Sequence, residues 1–409
     1  MSYSSTESSL LESRANLTSI KFVKIEETYY IKGLIMKLKI IFIVSTITLS
    51  FFVLQSCNNN LVEPVESTSY KPVDLNDGLL VSTPEEQGIN PAAISSTYQS
   101  AEALGNIYSL LVVKNNYLVS EKYFNGQSYQ DANSIASVTK SFTSALTLLA
   151  LQEGYISSLD QKMVEFFPEF DWQNSDSRKS QITIWEMLQM RSGYPWEEFS
   201  PYYDMLWARQ RNWLPLIEEF PLESNPGTNF GYSNLIAHIV GIIVARSSGN
   251  TLLSFAQTEL FEPLGFQSVY WLQDSLGYYY GHGDLHLTPR ELLKFGLLFL
   301  NGGIYNGTRI LPEELIRESL TPYSLNTYGR RILEHYNLLD YGYMWWLTKM
   351  GNHQVSFAGG HGGQLIVLVH DMNMVVVSTA DYLPGLFGEE AWNKTKAVME
   401  LVGRFIEQL

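Results

Sequence analysis

Short apolar runs rich in β-forming residues predict strands near both ends of the folded region. Residues 107–114 and 117–124 are two short β-rich runs, and Asn115-Asn116 between them is typical of a hairpin turn. Another turn, Asp371-Met372-Asn373, separates the last two of a second group of short apolar runs. This later group predicts antiparallel strands at 341–347, 354–357, 364–370 and 374–379.

The segment between these two groups of strands has mostly helical patterns, with Trp and Tyr concentrated in its loops. Thr288 and Pro289 provide a cap and a first-turn proline for one of its helices. The predicted helices cover 182–190, 237–247, 252–264, 290–300 and, at the C-terminus, 389–409. Strands on either side of a helical middle predict an α+β fold with an antiparallel sheet flanked by helices and an inserted, mostly helical lobe at about 150–285.

The N-terminal region has the pattern of a secretory signal. Lys37 and Lys39 precede an apolar stretch at 40–54, which at about 15 residues is short for a membrane span of roughly 20. Leu54-Gln55-Ser56-Cys57 then resembles the lipobox of bacterial lipoproteins, in which the cysteine becomes the lipidated N-terminus. The alternative is a signal anchor with an incidental cysteine.

These features divide the chain into four predicted parts. Residues 1–35 are a doubtful leader upstream of Met36, 36–57 are the lipoprotein signal, 58–79 are a flexible tether, and 80–409 are the folded domain. The resemblance to lipoproteins implies a lipid-anchored protein of the cell envelope, facing the periplasm or the exterior.

Composition argues against nucleic-acid binding and against disulfide bonds within the chain. The net charge of −15 over 409 residues gives no electrostatic reason to bind nucleic acid. Cys57 is the single cysteine, so no disulfide can form within the chain.

The first candidate for chemistry is Ser137-Val138-Thr139-Lys140, which lies just before the apolar run 142–151. Residues three apart share a helix face, so Ser137 and Lys140 would lie side by side. A serine is a poor nucleophile until a neighbour takes its proton. A partly buried lysine can be that neighbour, because burial disfavours its charged form.

Two later segments supply possible partners. Gly231-Tyr232-Ser233-Asn234 forms a predicted tight turn, in which a phenol beside an ammonium loses its proton more easily and an amide orients an amine or a substrate carbonyl. Residues 358–364 are rich in glycine and lead into an apolar strand, where a backbone N–H can face a developing oxyanion.

The three segments, in this order, resemble the motifs of the serine β-lactamase and penicillin-binding protein superfamily. They are most similar to its class C β-lactamase-like hydrolases, which include esterases, D-amino-acid peptidases and 6-aminohexanoate-dimer hydrolases. The motifs are Ser-x-x-Lys, Tyr-x-Asn and Lys- or His-x-Gly, matched by Ser137 and Lys140, by Tyr232 and Asn234, and by His361 and Gly363.

The resemblance implies a role for each matched residue. Ser137 becomes acylated, while Lys140 and Tyr232 share the proton transfers. Asn234 positions the substrate or the lysine. The backbone N–H groups of Ser137 and Gln364 form the oxyanion hole, and no cofactor is needed.

His361 departs from the lysine found at its position in many relatives. Histidine, with a reference pKa near 6.5, is mostly neutral at pH 7. We therefore expect weaker selection for a substrate carboxylate, which argues against strong β-lactamase activity.

Other candidates have simpler explanations. His282-Gly283-Asp284-Leu285-His286 lacks a fourth metal ligand, so a loop near the cleft mouth is the better interpretation, with His286 a possible pocket wall. Residues 231–235 nearly match the Gly-x-Ser-x-Gly nucleophile elbow of α/β-hydrolases, but Leu235 replaces the final glycine, which argues against that fold. Two sets complete the candidates: a possible aromatic pocket or plain packing (Trp196, Tyr202, Tyr203, Trp345 and Trp346), and histidines without visible partners (His238, His335, His353 and His370).

The sequence thus predicts a lipid-anchored serine hydrolase that acts on esters or amides of small molecules or peptides through an acyl-enzyme. The first alternative is a D-alanyl-D-alanine peptidase or β-lactamase that acts on wall-derived substrates. The second is an inactive member of the family that binds peptidoglycan fragments or proteins.

Overall fold

A computed structural model describes residues 71–208, 212–383, 386 and 388–409 of the chain. The predicted signal, Cys57 and most of the predicted tether lie outside these residues. The main sheet of the described part has eight strands: β1 (Leu80–Val81), β2 (Ile107–Lys114), β3 (Tyr117–Tyr123), β9 (Asp340–Tyr341), β10 (Trp346–Met350), β11 (His353–Gly360), β12 (Gln364–Val369) and β13 (Met374–Ala380). Their spatial order is β1-β3-β2-β13-β12-β11-β10-β9.

All neighbouring strands of this sheet pair antiparallel except β1 with β3. The predicted hairpins 107–124 and 364–379 are confirmed. The predicted strand 341–347 is wrong as one element, because the chain turns at 342–345, with Met344 at φ +57°. Two small sheets complete the β structure: β4 (Asn133–Ser134), β5 (Tyr270–Trp271) and β6 (Leu285–Leu287) form one, and β7 (Ile304–Tyr305) and β8 (Thr308–Arg309) form the other.

Ten α-helices lie in the described residues, among them one at each predicted helical run. They are α1 (Pro91–Leu104), α2 (Thr139–Gln152), α3 (Ile184–Leu188), α4 (Tyr202–Ala208), α5 (Leu216–Glu219), α6 (Asn234–Ser248), α7 (Leu252–Ala256), α8 (Pro289–Leu300), α9 (Glu313–Ser319) and α10 (Gly388–Glu407). The predicted helix 252–264 is shorter than expected, since after Ala256 it widens into a π-helical turn at Gln257–Phe261. The predicted helix 182–190 is likewise only the five residues of α3, capped by Thr183.

Helices cover both faces of the main sheet, which explains why its central strands are apolar at nearly every position. Helix α8 packs on β12 and β13, and α1 and α10 pack together on sheet strands as well. The contact of α8 is close because Gly296 carries no side chain. A Cβ there would lie 2.7 Å from Val375 and 2.9 Å from Ile366.

Helix α2 links the sheet to the helical lobe. Its residues from Thr139 to Ala150 are buried, and it packs along α6. The ring of Phe142 stacks on Phe295 of α8 with 3.7 Å between ring centroids. Helix α2 is thereby held between α6 and α8. This packing fixes the position of Ser137, which lies directly before the helix.

Ordered contacts begin before the predicted boundary at residue 80. The buried guanidinium of Arg290 donates hydrogen bonds to the Val73 carbonyl and to the carboxylates of Asp77 and Glu121. Residues 73–79 therefore belong to the folded part rather than to the tether.

Within the described part of the chain, no single helix is both long enough and apolar enough to cross a membrane. Helix α6 and the segment Leu252–Phe261 meet that test only as a pair bent by 78°.

Candidate active site

Ser137 lies in a one-turn 3₁₀ helix, Ala136–Val138, that runs directly into α2. Ala136 adopts φ +47°, a conformation that alanine rarely takes and that is often kept at functional turns. The amide of Ile135 donates to the Leu285 carbonyl at 2.9 Å, so the small sheet β4-β6-β5 supports this turn. The local backbone thus places Ser137, which is partly exposed, at the start of a buried helix.

The end of β11 lies against the same turn. A Cβ built on Gly360 would be 2.6 Å from the Ile135 carbonyl oxygen, 3.0 Å from the Ala136 Cβ and 3.1 Å from the Ser137 nitrogen. Glycine at 360 therefore allows the end of β11 to approach Ser137 this closely.

Lys140 joins the first motif to the second. Its Nζ donates to Ser137 Oγ at 3.0 Å, to Asn234 Oδ1 at 2.8 Å and to the His282 carbonyl oxygen at 2.9 Å. The structure therefore brings Ser137, Lys140 and Asn234 together as the sequence predicts.

Burial tunes Lys140 toward a proton acceptor. The side chain is almost fully buried, and this desolvation lowers the pKa of Lys140 to about 8, against smaller opposing effects of Glu198, Glu197 and Asp284. Roughly a tenth of the molecules then hold a neutral amine at pH 7, far more than for a free lysine.

Tyr232 lies over Lys140, with Nζ 4.8 Å from the centroid of the phenol ring. Burial, with a further contribution from Glu198, raises the pKa of Tyr232 well above its usual value, and a hydrogen bond with Ser137 opposes this only in part. The expectation that the phenol loses its proton more easily is therefore wrong. Tyr232 is suited to donate and relay a proton, while Lys140 is the better base.

Glu197 is a site residue that the sequence reasoning missed. Its buried carboxylate accepts from the Ser233 hydroxyl at 2.5 Å, from the Asn234 amide at 2.9 Å and from the Leu235 amide at 3.3 Å. Since these groups begin α6, Glu197 holds the Tyr-x-Asn turn against Lys140. Burial raises the pKa of Glu197 to about 7.

The third motif, at 361–363, and Gln364 after it lie where β11 leads into β12. Gly363 has φ +107°, and a Cβ there would lie 2.6 Å from Val398, so this glycine is required by packing against α10. The side chain of Gln364 bonds the backbone of Ala380, with 2.6 Å for Nε2 to the carbonyl oxygen. The substrate contacts predicted for Gly363 and for the Gln364 backbone N–H remain predictions.

His361 follows β11 and is half-buried. Burial lowers the pKa of His361, while hydrogen bonds to the backbone at Leu383 and Leu386 partly compensate. The ring is therefore neutral at pH 7, in line with the expectation from its residue type.

The predicted aromatic set divides into two groups. Trp196 and Trp346 lie beside Tyr232, with ring centroids 6.1 and 5.6 Å from it. Trp345 is instead a core residue, packed 4.7 Å from Phe299. The ring of Tyr202 packs on Phe220.

The remaining histidines have structural partners. His238 pairs with buried Asp274 at 3.2 Å, and the ring of His286 packs on Tyr270. The role of His286 as a pocket wall remains a prediction. The others bond acids or a hydroxyl: His335 with Glu407, His353 with Asp371, and His370 with Ser356. No group of three or more His, Cys, Asp or Glu side chains is placed to hold a metal ion among the residues that the structure describes.

Comparison with known proteins agrees with this geometry. The profile of the family described as Beta-lactamase matches residues 108–398, which is most of the chain. The chain belongs to this family. It is 25% identical over 225 residues to Beta-lactamase-like protein 2 of Dictyostelium discoideum, a match that covers 47% of this chain and 39% of the relative. It is 24% identical to the 6-aminohexanoate-dimer hydrolase of Paenarthrobacter ureafaciens, over 63% of this chain and 68% of that enzyme.

The fold is that of solved members of the superfamily. A penicillin binding protein from Bacillus halodurans matches with a TM-score of 0.58 and 17% identity, over 76% of this chain and all of that one. The predicted α+β, transpeptidase-like fold is therefore confirmed. Several relatives match over less than half of their own length, so their whole activities do not transfer directly.

Proposed function

We propose that this protein is a serine hydrolase that cleaves esters or amides through an acyl-enzyme on Ser137. The observation that carries the proposal is the 3.0 Å contact of Lys140 Nζ with Ser137 Oγ, made by a lysine with a lowered pKa. Hydrolase relatives within the Beta-lactamase family support the same reaction class.

The geometry gives each group a step. Neutral Lys140 takes the proton of Ser137 as the serine oxygen attacks the carbonyl carbon of the substrate. The resulting oxyanion is held by the backbone N–H groups of Ser137 and Gln364. As the carbon–leaving group bond breaks, the proton passes from Lys140 or through Tyr232 to the leaving group. Water then attacks the acyl carbon and gives a proton to Lys140. The bond from the acyl carbon to Ser137 Oγ breaks, the proton passes to Oγ, and the carboxylic acid product leaves the regenerated serine.

The choice between ester or amide hydrolase and β-lactamase depends on charge. A penicillin carries a carboxylate, and the neutral ring of His361 offers it no cation. We therefore expect ester turnover with little penicillin hydrolysis. His361→Lys should raise activity on penicillin relative to the ester, and an unchanged ratio would refute the role given to this charge.

The test is to treat residues 67–409 with a p-nitrophenyl ester and with a fluorescent penicillin, measuring both turnover and intact mass. Ester turnover that is lost in Ser137→Ala supports the hydrolase. Penicillin hydrolysis at a comparable rate favours the β-lactamase or peptidase. Absence of both turnover and adduct favours the binding protein.

We further propose that Cys57 carries a lipid that anchors the protein to the cell envelope. The support is the apolar stretch and the Leu-Gln-Ser-Cys sequence alone. Metabolic labelling with a fatty-acid analogue should mark the wild type and leave Cys57→Ala unmarked, and equal labelling would refute the anchor.

A further inference from the structure

The loop before β6 contacts both α2 and α6 and supplies one of the partners of Lys140. The carbonyl oxygen of His282 in this loop accepts from Lys140 Nζ at 2.9 Å. The loop meets α6 without room for a side chain, since a Cβ on Gly281 would lie 2.4 Å from the Ala237 carbonyl oxygen and 3.3 Å from the Gly241 nitrogen. The position of this loop therefore decides where one N–H of Lys140 is directed.

Two side chains hold the backbone of Gly281, the residue before His282. Thr143 of α2 donates from its hydroxyl to the Gly281 carbonyl oxygen at 2.7 Å. His238 of α6 accepts from the Gly281 N–H through Nδ1, at the longer distance of 3.4 Å. Both side chains are fully buried, so water does not easily replace the bonds they make. We call Thr143 and His238 the loop clamp.

Asp274 keeps His238 in the form that can accept. Its buried carboxylate lies 3.2 Å from His238 Nε2, and it also accepts from the backbone N–H groups of Leu276 and Tyr278. A carboxylate pairs with the ring nitrogen that carries a proton, so Nε2 is the protonated nitrogen of His238 and Nδ1 is left as the acceptor. The pair with Asp274 thus fixes the tautomer that the clamp requires.

The clamp bears on the direction of the lone pair of Lys140. A neutral amine has two N–H groups and one lone pair, arranged as a tetrahedron with its carbon. Asn234 Oδ1 and the His282 carbonyl oxygen, 2.8 and 2.9 Å from Nζ, can only accept, so they take both N–H groups. The remaining neighbour, Ser137 Oγ at 3.0 Å, then faces the lone pair that must receive its proton. If the carbonyl moves away, the amine can turn an N–H toward Ser137 instead.

We propose that Thr143 and His238 are positioning residues that hold the 281–282 backbone and thereby aim the lone pair of Lys140 at Ser137. The proposal rests on the hydrolase function proposed above. Because both side chains are fully buried, loss of either clamp contact should slow acylation and leave substrate binding unchanged. We expect acylation to become about tenfold slower, since small misplacements of reacting groups have effects of at least this order.

The experiment measures acylation and binding separately. Stopped-flow records of the p-nitrophenol burst from a p-nitrophenyl ester give the acylation rate constant and the substrate dissociation constant, and circular dichroism checks the fold. Thr143→Val removes the hydroxyl with little change in volume, and Thr143→Ser keeps it. His238→Gln keeps a donor toward Asp274 and removes Nδ1. The matched control is Thr147→Val, because the equally buried hydroxyl of Thr147 bonds the Thr143 carbonyl within α2.

The proposal is supported if acylation falls about tenfold in Thr143→Val and His238→Gln with substrate binding unchanged, recovers most of its rate in Thr143→Ser, and is preserved in Thr147→Val. An unchanged acylation rate in either clamp variant, or a loss that lies in substrate binding, overturns the proposal while the hydrolase stands. Equal losses in Thr143→Val and Thr147→Val assign the effect to the packing of α2 and overturn it too. Should Thr143→Val not fold, His238→Gln decides in the same way. Absence of turnover and of an acyl group on Ser137 in the wild type overturns the hydrolase as well.

Discussion

Lys140 illustrates how burial can give a common residue the pKa that the proposed catalytic role requires. Its ammonium lies among Ser137, Asn234 and the His282 carbonyl with little access to water, so its neutral form becomes available near physiological pH. Sequence indicates the Ser-x-x-Lys spacing, but the pKa depends on packing from α2, α6 and the loop before β6.

The first prediction is the pH dependence of ester hydrolysis. In the proposed mechanism the neutral amine of Lys140 is the base, so kcat/KM should rise with pH to half its maximum near pH 8 and should fall about tenfold per unit below that. A stopped-flow pH profile with a non-ionising ester checks this. Removing the Glu198 charge (Glu198→Gln) should move the midpoint to lower pH, whereas Glu153→Gln should leave it in place. A flat profile between pH 6 and 9 would contradict the role of Lys140.

A second prediction concerns Glu197 and stability. Its pKa is about 7 in the folded protein and near 4.5 when unfolded, so folding favours the protonated form. The stability that Glu197 gains from this raised pKa is therefore fully present below about pH 4.5 and is lost as the pH rises through 7. The free energy of unfolding of the wild type relative to Glu197→Gln should fall by up to about 3 kcal/mol between pH 4 and 8. Urea denaturation at both pH values measures it, and a difference that does not change with pH would be the opposite result.

At the scale of elements, the site depends on how closely β11 approaches the turn before α2. Gly360 permits that approach, since its hydrogen occupies the space in which a Cβ would meet backbone atoms of Ile135 and Ser137. The position of the end of β11 and that of Ser137 are thus coupled through one residue.

The third prediction follows from this contact. Gly360→Ala should displace β11 from Ser137 and lower kcat/KM at least tenfold, with a loss of stability of about 1–3 kcal/mol. Gly283→Ala is the matched control, because a Cβ there has only ordinary contact, 3.9 Å from the Ala136 carbonyl oxygen. Steady-state kinetics and thermal denaturation of both variants distinguish the two positions. Equal kinetics in the two variants would count against the coupling.

Elements with a clear period and clear turn residues could be predicted from the sequence. The hairpin 107–124 and helix α8, with its Thr288 cap and Glu291 capping box, are examples. The turn at 342–345 could not, because an aromatic-rich run reads as a strand whether or not the backbone turns. The burial of Trp345 but not of Trp196 likewise depends on tertiary packing.

The same limit applies to Glu197. It is 37 residues from Asn234 in sequence, and no local spacing connects them. The adjacent acids of Trp196-Glu197-Glu198 in an aromatic loop were the available signal, yet one carboxylate is buried and the other exposed. Only the folded chain separates their roles.

At the scale of the whole molecule, the segment before β1 belongs to the folded domain. Arg290 of α8 ties it to β3 by bonds to Val73, Asp77 and Glu121. Removing this segment leaves a buried guanidinium with fewer partners, which is costly in a site that water reaches poorly.

The fourth prediction compares two truncated proteins. A chain that starts at residue 80 should melt several degrees below one that starts at residue 67, because Arg290 loses two of its three partners. Calorimetry measures the difference. Substitution of Asp77 alone (Asp77→Asn) in the longer chain should reproduce part of it, and identical melting of the two chains would show that the segment contributes nothing.

The most direct test of the account is to locate the acyl group itself. The longer chain is mixed with a p-nitrophenyl ester, quenched in acid within milliseconds to seconds, digested and mapped by mass spectrometry. We predict an acyl group on Ser137, absent from Ser137→Ala and formed at least a hundredfold more slowly in Lys140→Ala. An acyl group on another residue, or undiminished hydrolysis by Ser137→Ala, would contradict the account.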